Sequence, residues 1–213
     1  MLKNGYWQDL TTRDFIGLDP EQTVVILPVA AIEQHGPHLP LSTDAVINEG
    51  IVKRTLAVLS APPTVLVTPA LVVGQSLEHL GYSGTLSVST ETLLALWLDV
   101  GRSIARTGLR KLIVFNSHGG QTSLIDILAV RLRWELEVLV VRANYFAFGT
   151  PPDLFEPSEL EHGIHGGELE TSLMLHLRPD LVRVDALENF AGLAERMDRD
   201  NTFLGPEKRV GFG

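Results

Sequence analysis

Cysteine is missing from all 213 residues. That excludes a thiol nucleophile, a thiolate zinc site and any disulfide. Positive charge is in short supply: 17 Lys and Arg stand against 26 Asp and Glu, a formal net charge of −9. An acidic chain without a Lys/Arg cluster repels phosphate backbones, so no nucleic-acid partner is expected. No uninterrupted apolar stretch approaches the ~18 residues that span a bilayer, so no membrane span is expected. The start, MLKNGYWQDL, has no apolar segment behind a basic one, so no signal peptide is read there. Together these features lead us to expect a soluble, cytoplasmic protein. Nucleotide-binding signatures are missing too, with no G-x-x-x-x-G-K-[ST] and no G-x-G-x-x-G after a strand.

What is present is ordinary for a globular chain: 45% hydrophobic and 20% charged residues. The length supports one sizeable core and is short for two, so one domain over 1–213 is expected. TVVILPVA (23–30) is a β-branched run and reads as a strand buried on both faces. A helical pattern covers about residues 44–59 and stops at Pro62 and Pro63. TVLVTPALVV (64–73) is the next strand region, and a helix capped by Ser89 or Thr90 runs to about Gly108. KLIVFN (111–116), a helix over about 122–135, EVLVVRAN (137–144) and a helix over about 167–177 follow. LVRV (181–184) reads as a last strand, and the tail from Glu195 carries weak structure signals. Strands alternating with helices imply an α/β fold: a mostly parallel central sheet flanked by helices, with ligands bound at the carboxyl ends of its strands.

Five of the seven histidines fall in three polar segments: EQHGPHLPLSTD (33–44), NSHGGQ (116–121) and EHGIHGGELE (161–170). The first two leave predicted strands directly. Glu33 and His35 flank one residue, so an extended backbone points both side chains the same way. With Asp44 they form an oxygen-and-imidazole set suited to zinc, manganese or iron(II). The competing readings are an N-terminal cap at Asp44 and a surface pair at Glu33 and His35. His118 precedes Gly119 and Gly120, whose N–H groups could hold an anion or a developing oxyanion. A buried, satisfied His in a Gly-rich turn is the alternative there. Glu170 lies on the apolar stripe of its helix with Leu173 and Met174, where a carboxylate is costly unless paired or metal-bound. Glu168 faces the polar side. His165 is a candidate proton donor or acceptor. His79 reads as a surface-loop histidine that could reach a substrate.

The three segments together resemble the creatininase (creatinine amidohydrolase) family. EQHGPHLPLSTD is similar to its first motif, NSHGGQ to its second and HGGELETS to its third; HLGYSGT also resembles a family segment. The resemblance covers about residues 27–177. It implies a creatininase-like α/β fold, two divalent metal ions per chain (zinc first, manganese or iron otherwise) and a homo-oligomer, often a hexamer. Carried over by motif, the metal ligands would be Glu33, His35, Asp44 and His118, with Asp44 bridging. His165 and Glu170 would complete the site, Glu170 as a ligand or as partner to the reacting water. The name-giving creatininase has Tyr and a metal-binding Glu after the second-motif His, where this chain has Gly119 and Gly120. That departure weakens creatinine as the substrate and shifts weight onto Glu170 as a ligand. The chain also stops at RVGFG, earlier than family members usually do, which implies a missing C-terminal segment.

The expected activity is hydrolysis of a non-peptide or cyclic amide C–N bond in a small molecule by a metal-activated water. Gly119, Gly120 and His79 would contact the substrate, and His165 would protonate the leaving nitrogen. A formamide deformylase or a small-peptide peptidase is the alternative within the family. A metal-binding protein without catalysis is the alternative of another class.

Overall fold

Strands rich in Val, Ile and Leu need both faces covered, and this chain follows most of its strands with a helix. The computed structural model describes residues 5–60 and 62–190. Strands β1 (Gly5–Tyr6), β2 (Thr23–Val29), β3 (Thr64–Val67), β4 (Lys111–Asn116) and β5 (Leu139–Asn144) form one sheet in the order β1-β3-β2-β4-β5. Every ladder is parallel. The helices are α1 (Thr43–Val58), α2 (Thr90–Arg106), α3 (Thr122–Leu136), α4 (Pro157–His162) and α5 (Glu168–Leu177).

The period-two alternation of β2 divides the core. Val25, Leu27 and Val29 pack with Leu112 and Val114 of β4 against Leu93, Trp97, Leu124 and Leu128 of α2 and α3. Ile26 and Phe115 turn the other way, onto Ile47 and Val52 of α1 and Met174 of α5. Each fully buried side chain of this kind contributes roughly 1.5–3 kcal/mol. The α/β architecture read from the sequence is therefore the architecture observed, a parallel sheet between two helical layers.

Strand order places the site. From β2 the chain crosses to β3 on one side and then returns past β2 to β4 on the other. The loops leaving β2 and β4 diverge, which opens a crevice at their carboxyl ends. Asn48 of α1 ties that end together: its amide donates to the carbonyls of Val29 (3.0 Å) and Phe115 (3.2 Å) and to Ser117 Oγ (3.1 Å).

Some elements differ from the sequence reading. The strand expected over 64–73 ends at Val67, with one further bridge at Leu71. Pro28 faces this side of β2 without an N–H to donate, and pairing resumes where Ala30 N–H donates to the Leu71 carbonyl. LVRV is not a strand. It lies between two 3-10 turns, Pro179–Leu181 and Val184–Ala186, and Arg183 N–H donates to the His38 carbonyl rather than to a ladder. The short β1 and α4 were not anticipated, since two and six residues give too little periodicity to read. The tail from Glu195 lies outside the described residues.

Candidate metal centre

The exit of β2 carries Glu33 and His35, and the first turn of α1 carries Asp44. The exit of β4 carries His118. The segment into α5 carries His165 and Glu170. All six side chains converge. His35 Nε2 lies 3.3 Å from Asp44 Oδ1, 3.7 Å from Glu170 Oε2 and 4.0 Å from Glu33 Oε1. His118 Nδ1 lies 3.0 Å from Glu33 Oε1 and 3.4 Å from Asp44 Oδ2. His165 Nδ1 is 3.7 Å from Glu33 Oε1. Within three overlapping triads (Glu33/His35/Asp44, His35/His165/Glu170 and Glu33/His79/His165) the potential ligand atoms all lie within 4.8 Å of one another.

Backbone carbonyls set the histidine tautomers. His35 Nδ1–H donates to the Glu33 carbonyl at 3.1 Å, which turns Nε2, the nitrogen that would give up its proton to bind a metal, toward the carboxylates. His118 Nε2–H donates to the Gln75 carbonyl at 2.8 Å, which leaves Nδ1 facing them. His165 Nε2 lies 2.5 Å from the Gln34 carbonyl and 3.1 Å from the Gln34 side-chain amide; the shorter contact to a carbonyl favours the proton on Nε2 and the lone pair on Nδ1. Fixing one ring nitrogen by hydrogen bonding orients the other for a ligand role. The Asn116 amide holds the β4 exit in place: it donates to the His118 carbonyl at 2.7 Å and accepts from His118 N–H at 3.1 Å.

The third motif is shaped by a glycine. Gly166 has φ +63, and a Cβ there would sit 3.2 Å from the His35 carbonyl oxygen. Its N–H donates to Glu170 Oε2 at 2.6 Å, and Tyr145 O–H donates to Glu170 Oε1 at 3.1 Å. Glu159 of α4 accepts from Glu168 N–H at 2.6 Å and caps α5. The cap of α1 is positionally Ser42, so Asp44 is no N-cap; its buried carboxylate turns to His35 and His118. Glu33 and His35, 1% and 0% exposed, are likewise no surface pair. Glu168 is exposed.

Crowded charge shifts the titrations in opposite directions. Burial alone would raise Glu33 and Asp44, but the surrounding imidazoles hold both below the usual carboxylate range. Burial alone would lower His35, yet Asp44, Glu170 and Glu33 raise it to about 9. His118, also opposed by burial, is raised well above its ordinary value by Asp44 and Glu33. His165 goes the other way: burial, then the His35 charge, push it down to about 3. Burial raises Glu170, with help from Asp44 and against His35.

The donor set fits a divalent metal. His35 Nε2, Asp44 Oδ2, Glu78 Oε1 and His79 Nε2 are buried atoms that make no hydrogen bond. Such atoms are costly to bury unless something satisfies them. Imidazole nitrogens and carboxylate oxygens converging in this way suit zinc, manganese or iron(II).

Several placements differ from the sequence reading. His79 is no surface histidine. It is 1% exposed, its Nδ1–H donates to Glu33 Oε2 at 3.1 Å, and its ring stacks on His165 at a centroid distance of 4.2 Å. Gly119 and Gly120 lie in a 3-10 turn, Gly119–Gln121, beside His118. The bare α-carbon of Gly120 is filled by the protein itself, since a Cβ there would lie 1.9 Å from Glu78 Oε1. Sequence reasoning missed Glu78 and Tyr145. Glu78 stands beside a histidine in the polar SLEHLG stretch, and Tyr145 directly follows a β-strand at its carboxyl end; both positions were legible signals.

Comparison with known proteins converges on the same resemblance. The sequence model of creatininase (creatinine amidohydrolase) matches residues 8–209. The mycofactocin precursor peptide peptidase of Mycolicibacterium smegmatis (strain ATCC 700084 / mc(2)155) is 34% identical over 180 residues, 83% of this chain and 67% of that protein. Creatinine amidohydrolase of Pseudomonas putida is 32% identical over 195 residues, 84% of this chain and 72% of that protein. This chain spans 61–67% of the length of the mycofactocin-type relatives it matches. A solved creatininase mutant of Zn–Zn type superposes with a TM-score of 0.73 at 30% identity, over 89% of this chain and 78% of that one. A manganese creatininase gives 0.69 at 27% identity, over 88% and 78%. On the family match, the curated relatives and the shared fold, the chain belongs to the creatininase family.

Proposed function

We propose that this chain is a divalent-metal-dependent hydrolase that cleaves an amide C–N bond in a small molecule. One observation carries the proposal. His35 and His118 each have one ring nitrogen tied to a backbone carbonyl and the other aimed at the carboxylates of Asp44 and Glu33. Glu33, His35, Asp44 and His118 would hold about two metal ions, with Glu170 beside His35 as a further ligand; zinc is favoured, with manganese or iron as alternatives. When bound, the metal supplies Lewis acidity, polarising an amide carbonyl and lowering the pKa of water toward neutrality.

The protein's own groups move the proton. A neutral imidazole must take a proton before it can give one. His165 therefore accepts from the attacking water at its bare Nδ1 and then delivers that proton to the leaving nitrogen. Glu170, held by Tyr145 and Gly166, fixes the His35 side of the site. Buried His79 orients Glu33 by hydrogen bonding and presents its Nε2 to a substrate. The N–H groups of Gly119 and Gly120 are the donors proposed for the tetrahedral oxyanion.

The test is elemental analysis of purified, unchelated protein with His118→Ala alongside. About two equivalents of zinc, manganese or iron per chain, lost in the variant, support the proposal; no metal after reconstitution overturns it. A small-peptide peptidase is the second reading, favoured by the similarity to a protein named as a peptide peptidase. Parallel assays on creatinine, formamides and short peptides separate the two. We also propose a homo-oligomer. Ile127, Val130 and Trp134 share one face of α3 and are 48%, 68% and 87% exposed, while Leu139 and Val141 on edge strand β5 are 50% and 47% exposed. No helix among the described residues is long and apolar enough to cross a membrane.

A further inference from the structure

Glu78 lies outside every motif read from the sequence, in the loop between β3 and α2. Its side chain is 7% exposed, and the buried Oε1 makes no hydrogen bond. Oε1 stands 3.5 Å from His118 Nε2, but that nitrogen already donates to the Gln75 carbonyl at 2.8 Å. Potential ligand atoms of Glu33, Glu78 and His118 all lie within 4.8 Å of one another. A buried carboxylate oxygen directed at a metal-ligand cluster without a donor of its own is costly unless a cation satisfies it.

The glycine at 120 explains how Glu78 gets there. A Cβ at Gly120 would fall 1.9 Å from Glu78 Oε1 and 2.7 Å from His118 Nε2, and the Gly120 backbone is not in the left-handed region. Backbone conformation therefore does not demand glycine at this position; space for the Glu78 carboxylate and the His118 ring does.

We infer that Glu78 is a metal ligand of this centre, delivered from a different loop into the volume left open by Gly120. The inference rests on the metal-centre reading above.

Glu78→Gln tests this. Glutamine retains an acceptor oxygen and the shape of the side chain but loses the charge of a ligand. Wild type and variant, both checked for folding by circular dichroism, are stripped and titrated with zinc chloride against a competing chelator. If Glu78 is a ligand, the variant loses about one equivalent, or its weaker site weakens by more than the ~10–100-fold that loss of an outer-shell partner brings. Unchanged stoichiometry and affinity in Glu78→Gln, with a normally loaded wild type, overturns the role of Glu78 and leaves the metal centre standing. A wild type that takes up no zinc overturns both. Should Glu78→Gln fail to fold, Glu78→Asp, shorter but charged, replaces it. Loss of about one zinc equivalent, or affinity more than ~100-fold below wild type, supports ligation, and affinity equal to wild type overturns it.

Discussion

At the residue scale, three histidines of one cluster are shifted in different directions, His35 and His118 upward and His165 downward. His165 is depressed to about 3 by burial and the neighbouring His35 charge. In the metal-free protein its ring should stay neutral down to about pH 4, visible as unchanged ring 15N shifts in NMR; titration near pH 6.5 would contradict this. His165→Ala should lower turnover by roughly 10²–10⁴ while keeping most of the metal. Normal turnover in that variant would remove the proton-transfer role. His35, raised to about 9, carries a proton at neutral pH in the metal-free chain. Zinc must displace that proton, so zinc affinity should rise as pH rises toward about 9, and calorimetry in buffers of different ionisation enthalpy should detect proton release. A flat affinity over that range would count against it. The same shift has a stability side. Because the folded value lies above the unfolded one, the His35 contribution is present below about pH 6.5 and is lost as pH rises through about 9. His165 has the opposite sign, and its contribution is lost as pH falls from about 6.5 toward about 3. Metal-free protein should therefore melt highest between those two losses.

At the element scale, the site depends on how helices begin. Ser89 caps α2 by accepting from Thr92 N–H at 3.2 Å. Ser89→Ala should cost about 1 kcal/mol and lower the melting temperature by roughly 2–4 °C without changing metal content. Gly166 is the opposite case. It combines φ +63 with close contact to the His35 backbone. Gly166→Ala should cost at least about 1 kcal/mol and also weaken zinc binding, since it pushes on His35 and on the N–H that holds Glu170. A Gly166→Ala protein with wild-type zinc affinity would show that this turn does not position the ligands.

At the scale of the whole molecule, a metal held by side chains from separated loops would act as a folding ligand. Any ion that binds only the native state stabilises it by RT ln(1 + [L]/Kd), about 4 kcal/mol at a thousandfold excess over Kd. Chelation should lower the melting temperature by several degrees, and zinc should restore it. A chelator-insensitive melting curve would contradict a filled centre. The apolar face of α3 makes a second global prediction. Trp134→Asp should shift the sedimentation coefficient toward smaller species while leaving the fold intact, because Trp134 is 87% exposed. An unchanged distribution would place any assembly interface elsewhere.

How much was legible before folding depends on range. Local information sufficed for β2 and β4, whose continuous apolar runs admit little but buried parallel strands, and for the helix boundaries near Ser42, Ser89 and Thr122. It sufficed for the three motif segments because Glu33 and His35 are two residues apart and Glu170 sits on an apolar stripe. Three features were decided only in three dimensions. Gln75 reaches His118 across 43 residues, Glu78 enters the space above Gly120, and Tyr145 closes on Glu170. His79 shows the same limit: as a loop residue it looked solvated, yet the fold buries it against Glu33 from 46 positions away. The sequence alone therefore determined strands β2 to β5, helices α1, α2, α3 and α5 and the types of the clustered side chains, since these follow from periodicity and short spacings. The protonation states, the supporting carbonyls and the extra carboxylate were decided by tertiary structure, because burial and hydrogen-bond partners depend on which distant loops meet at the end of β2.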